Sequence, residues 1–248
     1  MKRIRSVISS SFFFAADIAN IRHIILYILI IITVATNISI NLLFFKIMLI
    51  FNLFSNPILA IGFIAGILLA VTVHEFMHAY VAFKLGDATA KLEGRVSLNP
   101  FVHLDLFGTI MLLLAGFGWG KPVPINPANF RHKYDEIKVS FAGIVGNLII
   151  AILLALIIRI IPMPLAVAQV IVIIIEINIT LMVFNLIPIP PLDGAAIFKA
   201  ILPDSAYATM QSLSTPLFIA FIFFIYTTPY ISNFIHWLTT ALLNLLVG

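Results

Sequence analysis

An all-α membrane protein, a polytopic bundle of about six transmembrane helices with a re-entrant or interfacial segment between the second and third, is the fold class this sequence predicts. Three observations carry it. Of 248 residues, 62% are hydrophobic and only 10% are charged, and the mean hydropathy of +1.16 lies far above that of a water-exposed domain. Half of the charged side chains crowd into residues 84–138, so the apolar remainder is not built of amphipathic helices, which excludes a soluble enzyme. Finally, runs of about 20 apolar residues recur along the chain, the length that crosses a hydrocarbon core of roughly 30 Å at 1.5 Å per residue.

The runs fall at about 24–45, 57–83, 139–158, 165–187, 206–226 and 231–247. The first carries Thr33, Thr36, Asn37, Ser39 and Asn41 in its second half, and the apolar stretch 47–54 leaves its exit open. The 23 residues before it are basic and contain serine; their apolar patch is too short for a secretory core, so they read as a retained cytoplasmic tail rather than a targeting segment. Between the second and third runs, residues 84–138 are polar except for an apolar island at 106–118. A helix of that length cannot cross a bilayer, so the island reads as a re-entrant or interfacial element packed against protein. Lys84, Lys91, Arg95, Lys121, Arg131, Lys133 and Lys138 put this segment on the cytoplasmic side by the positive-inside rule. Lys2, Arg3, Arg5, Arg22 and Lys199 fall on the same side, whereas Arg159 is placed at an outer turn. The last two runs carry no formal charge from Ser205 onward and meet at a turn holding Pro229, which predicts a plain helical hairpin.

A sequence pI near 9.4 could suggest nucleic acid. No basic cluster is interleaved with aromatics on a polar face, so the basic residues read as flanks of membrane spans and no nucleic-acid partner is expected. The absence of cysteine removes disulfides, thiolate metal sites and cysteine nucleophiles.

The chemistry sits in the second run, AVTVHEFMHAYVAF, where His74, Glu75 and His78 lie among apolar neighbours. Histidines at i and i+4 of a helix are about 40° and 6 Å apart, so both imidazoles can grip one metal ion with Glu75 beside them. Such a pair with a carboxylate is what a hydrolytic zinc site needs: the metal lowers the pKa of bound water towards 7 and the carboxylate accepts its proton. Two histidines and a glutamate in hydrocarbon are costly unless they have partners and a task, which favours a site over interhelical hydrogen bonding. A catalytic zinc usually takes three protein ligands. The candidate third is Asp193 in FNLIPIPPLDG, where Pro188, Pro190 and Pro191 forbid a continuous helix and Gly194 permits an unusual backbone angle. Asp193 could instead cap a helix over 194–202.

These residues identify a resemblance: from Val71 to Lys199 the chain is similar to the site-2 proteases, intramembrane zinc metalloproteases. His74-Glu75-x-x-His78 looks like their zinc-binding helix, and Leu192-Asp193-Gly194, after Asn185 and the prolines, like their third-ligand motif. GRVSLNPFVHLDLFGT and GKPVPINPANF resemble the compact bacterial-type subgroup without PDZ or CBS domains. The resemblance implies one Zn2+ per chain held by His74, His78 and Asp193, with Glu75 catalytic. It further implies that Gly143 and Asn147, matching a Gly-x-x-x-Asn element, bind substrate. The chain departs from the usual pattern at Ile144, where the family commonly has proline.

The expected organisation is therefore an N-terminal basic tail and first span at 1–56, a catalytic membrane core at 57–204 and a C-terminal hairpin at 205–248. The expected activity is cleavage of a peptide bond inside a transmembrane or signal-peptide-like segment, in regulated intramembrane proteolysis. The expected location is the lipid bilayer of the bacterial cell membrane, with the active site nearer the cytoplasmic face and an embedded protein or peptide as substrate. A non-proteolytic membrane metalloprotein and a six-span transporter are the alternatives; neither requires a general base beside a metal pair. Asn178 and Asn185 could orient metal ligands, with interhelical bonding the equal alternative. His103 could stand near the site but reads better as a loop anchor. Glu176, deep in a span, is a functional candidate by its position. His23, His132 and His236 receive no role.

Overall fold

The computed structural model describes residues 55–115 and 118–248. The chain divides into two compact units, Met1–Ile47 and Met48–Gly248, and every described residue belongs to the second. The expected first span and the tail before it lie outside the described residues.

The first described helix, α1 (Pro57–Lys84), begins where the Asn56 side chain accepts the Ile58 and Leu59 N–H groups, with Pro57 at a position that needs no donor. It stops at Gly86, whose φ of 114° other residues rarely adopt. The short α2 (Thr89–Leu92), a 3-10 turn at Pro100–Val102, α3 (Leu106–Ala115) and a second 3-10 turn at Pro127–Asn129 fill the polar segment. Two long helices follow, α4 (Asp135–Ile160) and α5 (Leu165–Asn185), then a 3-10 turn at Asp193–Ile197 and α6 (Phe198–Ile201). The chain closes with α7 (Asp204–Ser212), α8 (Ser214–Thr227) and α9 (Pro229–Val247).

Among the described residues α1, α4, α5 and α9 are long and apolar enough to cross a membrane. Lipid offers no hydrophobic drive for helices to associate, so small residues must let them approach closely. Gly62 and Gly66, one turn apart on α1, do this against α5: a Cβ on Gly66 would stand 2.6 Å from Cδ1 of Ile177. Gly146 of α4 lies as close against Met77 of α1. Ile144, Ala151, Ile175, Ile179 and Met182 fill the seam between α4 and α5, and α9 lays Ile235, Leu238 and Leu242 over it.

Two polar contacts orient the bundle. The Lys199 ammonium pairs with Glu136, so the end of α5 and the start of α4 share one end with Lys84. At the other end Arg159 donates to the Leu245 and Gly248 carbonyls, orphans at the C-terminus of α9. Arg159, which broke the expected charge asymmetry, thus caps a helix.

The expected single span at 206–226 is corrected: α7 and α8 meet at a bend of 61°. Pro216, in the first turn of α8, has no N–H to continue the α7 ladder. The Tyr207 hydroxyl bonds Glu136, so α7 starts at the Glu136 end, whereas α9 finishes beside Arg159. At about 28 Å for its 19 residues, α9 is long enough to cross a membrane, and the bent α7–α8 pair before it is a broken span or a re-entrant element.

The apolar island forms α3, ten residues and about 15 Å long, which cannot cross a bilayer. An isolated antiparallel bridge between Leu104 and Gly120 closes its base, and Gly108 lets the returning backbone of Trp119 pass in contact. Leu106 and Phe107 point away from the protein, 71% and 72% exposed, as side chains that meet lipid would.

Candidate metal centre

His74 and His78 lie one turn apart on the buried face of α1, their rings 4.6 Å apart and nearly perpendicular. His74 Nδ1 is 2.7 Å from Oδ1 of Asn147, and His78 Nδ1 is 2.7 Å from the Val139 carbonyl oxygen. These partners settle the tautomers. A carbonyl only accepts, so His78 carries its proton on Nδ1. The Asn147 amide nitrogen donates to the Ala70 carbonyl and to Asn178 Oδ1, both at 3.0 Å, so its oxygen must be the atom facing His74. His74 therefore carries a proton on Nδ1 too, and each ring, in its neutral form, presents a lone pair at Nε2.

Asp193 Oδ2 lies 2.9 Å from His74 Nε2 and 3.3 Å from His78 Nε2, buried and with no hydrogen bond to either. Three acceptor atoms thus face one another within 4.8 Å, which is repulsive until a cation or added protons come between them. Two imidazole nitrogens and a carboxylate oxygen are a donor set that suits zinc.

The local sequence delivers the aspartate. Helix α5 ends at Asn185, the prolines keep the chain from continuing it, and the 3-10 turn opens at Asp193. Gly194 does not adopt an unusual angle. Its missing side chain is needed for space: a Cβ there would stand 2.3 Å from the Leu186 carbonyl oxygen. Nor does the Asp193 carboxylate cap the turn it opens; it faces the imidazoles instead.

Gly143 and Asn147, for which the resemblance implies substrate binding, both pack against the two histidines. A Cβ on Gly143 would stand 2.5 Å from His78 Nε2 and 2.7 Å from His74 Nδ1, so glycine lets α4 rest directly on the two rings. Asn147 is fully buried, and both of its amide hydrogens are taken by Ala70 and Asn178. Of the two other asparagines, Asn178 reaches His74 through Asn147, while Asn185 donates to the Leu181 carbonyl of its own helix.

Glu75 is half-buried beside His74 and makes no hydrogen bond or ion pair among the described residues. Gly120 passes next to it, its Cβ position 3.5 Å from Glu75 Oε1. A set of anchors holds that strand in place. The Lys121 N–H donates to the His103 carbonyl at 2.7 Å, and the buried Arg95 guanidinium donates to the Lys121 and Pro122 carbonyls. His103 is fully buried, and its Nε2 lies 2.7 Å from the Ser97 carbonyl oxygen. Burial holds its pKa below the ordinary histidine value, and Arg95 pushes the same way. It is a loop anchor with no hydrogen bond to His74, His78 or Asp193 among the described residues. Buried Asp87 accepts from the Thr89 N–H and hydroxyl, the Asn126 N–H and the Asn129 amide, latching the end of α1 to residues 126–129. Sequence reasoning missed Asp87 and Arg95; the Asp-x-Thr spacing after α1 was a readable turn signal for the first, whereas nothing local marked the second. Glu176 stands exposed, twelfth of the 21 residues of α5, without a partner among the described residues. His132 and His236 are exposed, and His23 lies outside the described residues.

Comparison with known proteins agrees with this chemistry. The family model described as Peptidase family M50 matches residues 160–225, which hold α5 and Asp193. YwhC of Bacillus subtilis (strain 168), named provisionally as a zinc metalloprotease, is 40% identical over 181 residues, 69% of this chain and 82% of its own. Rip2 of Mycolicibacterium smegmatis, provisionally named in the same way, is 29% identical over 158 residues, 61% of this chain and 60% of its own. The zinc metalloprotease MJ0392 of Methanocaldococcus jannaschii is 25% identical over 171 residues, 69% and 43% of the two chains. No solved structure matches the chain. Membrane-length helices, a set of side chains that could hold zinc and these relatives agree: the chain belongs to peptidase family M50, the site-2 proteases, and is a membrane-embedded zinc metalloprotease.

Proposed function

We propose that this protein is an intramembrane endopeptidase that cuts a peptide bond within a transmembrane or signal-peptide-like segment, in regulated intramembrane proteolysis. In this reading His74, His78 and Asp193 hold one zinc ion and Glu75 is the catalytic base. The observation that carries it is the meeting of three acceptor atoms inside the helix bundle, next to a carboxylate with no hydrogen-bond or ion-pair partner among the described residues. Zinc, when bound, polarises a peptide carbonyl and lowers the pKa of water towards about 7. Glu75, free of other hydrogen bonds among the described residues, takes the proton of the attacking water and returns it to the leaving amide nitrogen. Asn147 and the Val139 carbonyl keep the Nε2 lone pairs turned inward, and the packed helices exclude bulk water.

A helical substrate hides its carbonyls in i to i+4 bonds, so the scissile stretch must unwind before Glu75 can act on it. Depth decides which half is cut. His74 lies ten residues before Lys84, about 15 Å of helix. The end marked by Lys84, Lys133 and the Lys199–Glu136 pair is the basic end, which the positive-inside rule makes cytoplasmic. The cut then falls in the cytoplasmic half of the substrate span and releases a cytosolic fragment. The Bacillus relative supports a bacterial cell membrane as the setting.

The test reconstitutes purified protein with a single-span substrate, beside the Glu75→Gln variant. Wild type should carry about one zinc and cleave; the variant should keep its zinc and cleave more slowly by a factor of about 10² to 10⁴. Mass spectrometry of the product termini reads the depth. Near-normal turnover by Glu75→Gln would assign the base elsewhere, and a cut in the outer half would overturn the orientation.

A further inference from the structure

The two histidines of the metal centre are held in unlike ways. His78 leans on a backbone carbonyl, that of Val139, which no side-chain substitution removes. His74 leans on a side chain, which leans on another. From His74 Nδ1–H a hydrogen bond of 2.7 Å runs to Asn147 Oδ1, then one of 3.0 Å from Asn147 Nδ2 to Asn178 Oδ1, then one of 2.9 Å from Asn178 Nδ2 to the Ile174 carbonyl. The chain crosses from α1 through α4 to α5, and every donor points the same way.

We propose that Asn147 and Asn178 are positioning residues, an amide relay spanning three helices that fixes both the tautomer and the ring orientation of His74. This rests on the reading of His74 as a zinc ligand. Two backbone carbonyls lock the direction: Ala70 accepts from Asn147 and Ile174 accepts from Asn178. Turning either amide over would set oxygen against oxygen. Both asparagines are fully buried, so no water can stand in for a lost partner without opening the bundle. A hydrogen-bond acceptor behind a metal-ligating imidazole fixes its tautomer and raises its basicity, and its loss typically weakens metal binding about 10- to 100-fold. To donate to a substrate carbonyl Asn147 would need a free amide hydrogen, and both of its hydrogens are taken. Simple interhelical glue would not require the relay to end on the one imidazole nitrogen that faces away from Asp193.

The experiment measures zinc release to a chelator, thermal stability and KM in four variants of the full chain: Asn147→Ala, Asn178→Ala, the double variant, and Ile175→Ala. The last removes apolar volume at a fully buried position of the same core without touching the relay. Expected are zinc release about 10- to 100-fold faster in Asn147→Ala, a smaller change of the same sign in Asn178→Ala, and a double variant no worse than Asn147→Ala alone. KM at saturating zinc should stay unchanged, and Ile175→Ala should lower the melting temperature without speeding release. If Asn147→Ala fails to fold, Asn178→Ala carries the test, because it leaves the bond to His74 in place. Wild-type release with a raised KM would return Asn147 to a substrate role. Faster release in Ile175→Ala, matched for stability, would reduce the relay to packing. A wild type that binds no zinc would overturn the metal reading itself.

Discussion

Gly143→Ala adds one methyl group where α4 touches both imidazoles. That methyl would stand 2.5 Å from His78 Nε2 and 2.7 Å from Nδ1 and Cε1 of His74, against an optimal separation of about 3.5 to 4.0 Å between non-bonded carbon atoms. The shortfall is roughly 1 Å at two rings at once. Neither ring can swing aside, since one is tied to Asn147 and the other to the Val139 carbonyl, so α4 must back away from α1. Overpacking of this kind costs about 1 to 3 kcal/mol. At about 1.4 kcal/mol per tenfold, and falling on the face the ligand atoms share, it weakens zinc binding by a factor of about 5 to 150. Competition against a chelator of known affinity measures this directly. Gly146→Ala is the control: its methyl would meet mainly Met77, an unbranched side chain able to rearrange, and zinc affinity should stay near wild type. Wild-type affinity in Gly143→Ala, or an equal loss in both, would refute the argument.

Two further perturbations probe the segments that present the site. In Gly194→Ala the new methyl would lie 2.3 Å from the Leu186 carbonyl oxygen and 2.8 Å from that of Ile187, both backbone, so the turn carrying Asp193 must move; a misplacement of about 1 Å costs roughly 10²-fold in single-turnover cleavage. Burial alone would raise the Asp87 carboxyl, but donors from Thr89, Asn129 and Asn126 hold its pKa below the ordinary 3.8. Its latch therefore stabilises the fold fully above that value and is lost as pH falls below it towards the depressed folded pKa. Melting temperature against pH should show an acid limb in wild type that is flattened in Asp87→Asn, and superimposable curves would remove the latch from the account.

The amino-acid sequence by itself determined the membrane class and the core of the chemistry, because both rest on local rules. Hydropathy over about 20 residues is a local sum, and the pairing of His74 with His78 follows from the pitch of one helix. The prolines before Asp193 announce broken helix without help from the rest of the chain. What only the tertiary structure decided was which helix faces which. Asn147 meets His74 across 73 residues, and no spacing rule connects them, so packing alone sets that contact. Gly143 and Gly194 were legible as glycines, but the imidazoles and carbonyls that forbid a side chain there arrive from distant segments. The bend between α7 and α8 shows the opposite failure: the apolar run at 206–226 reads as one helix by hydropathy alone, although Pro216 stands inside it. Tautomers came last of all, because the proton on each ring is placed by the acceptor behind it, and α4 brings both acceptors.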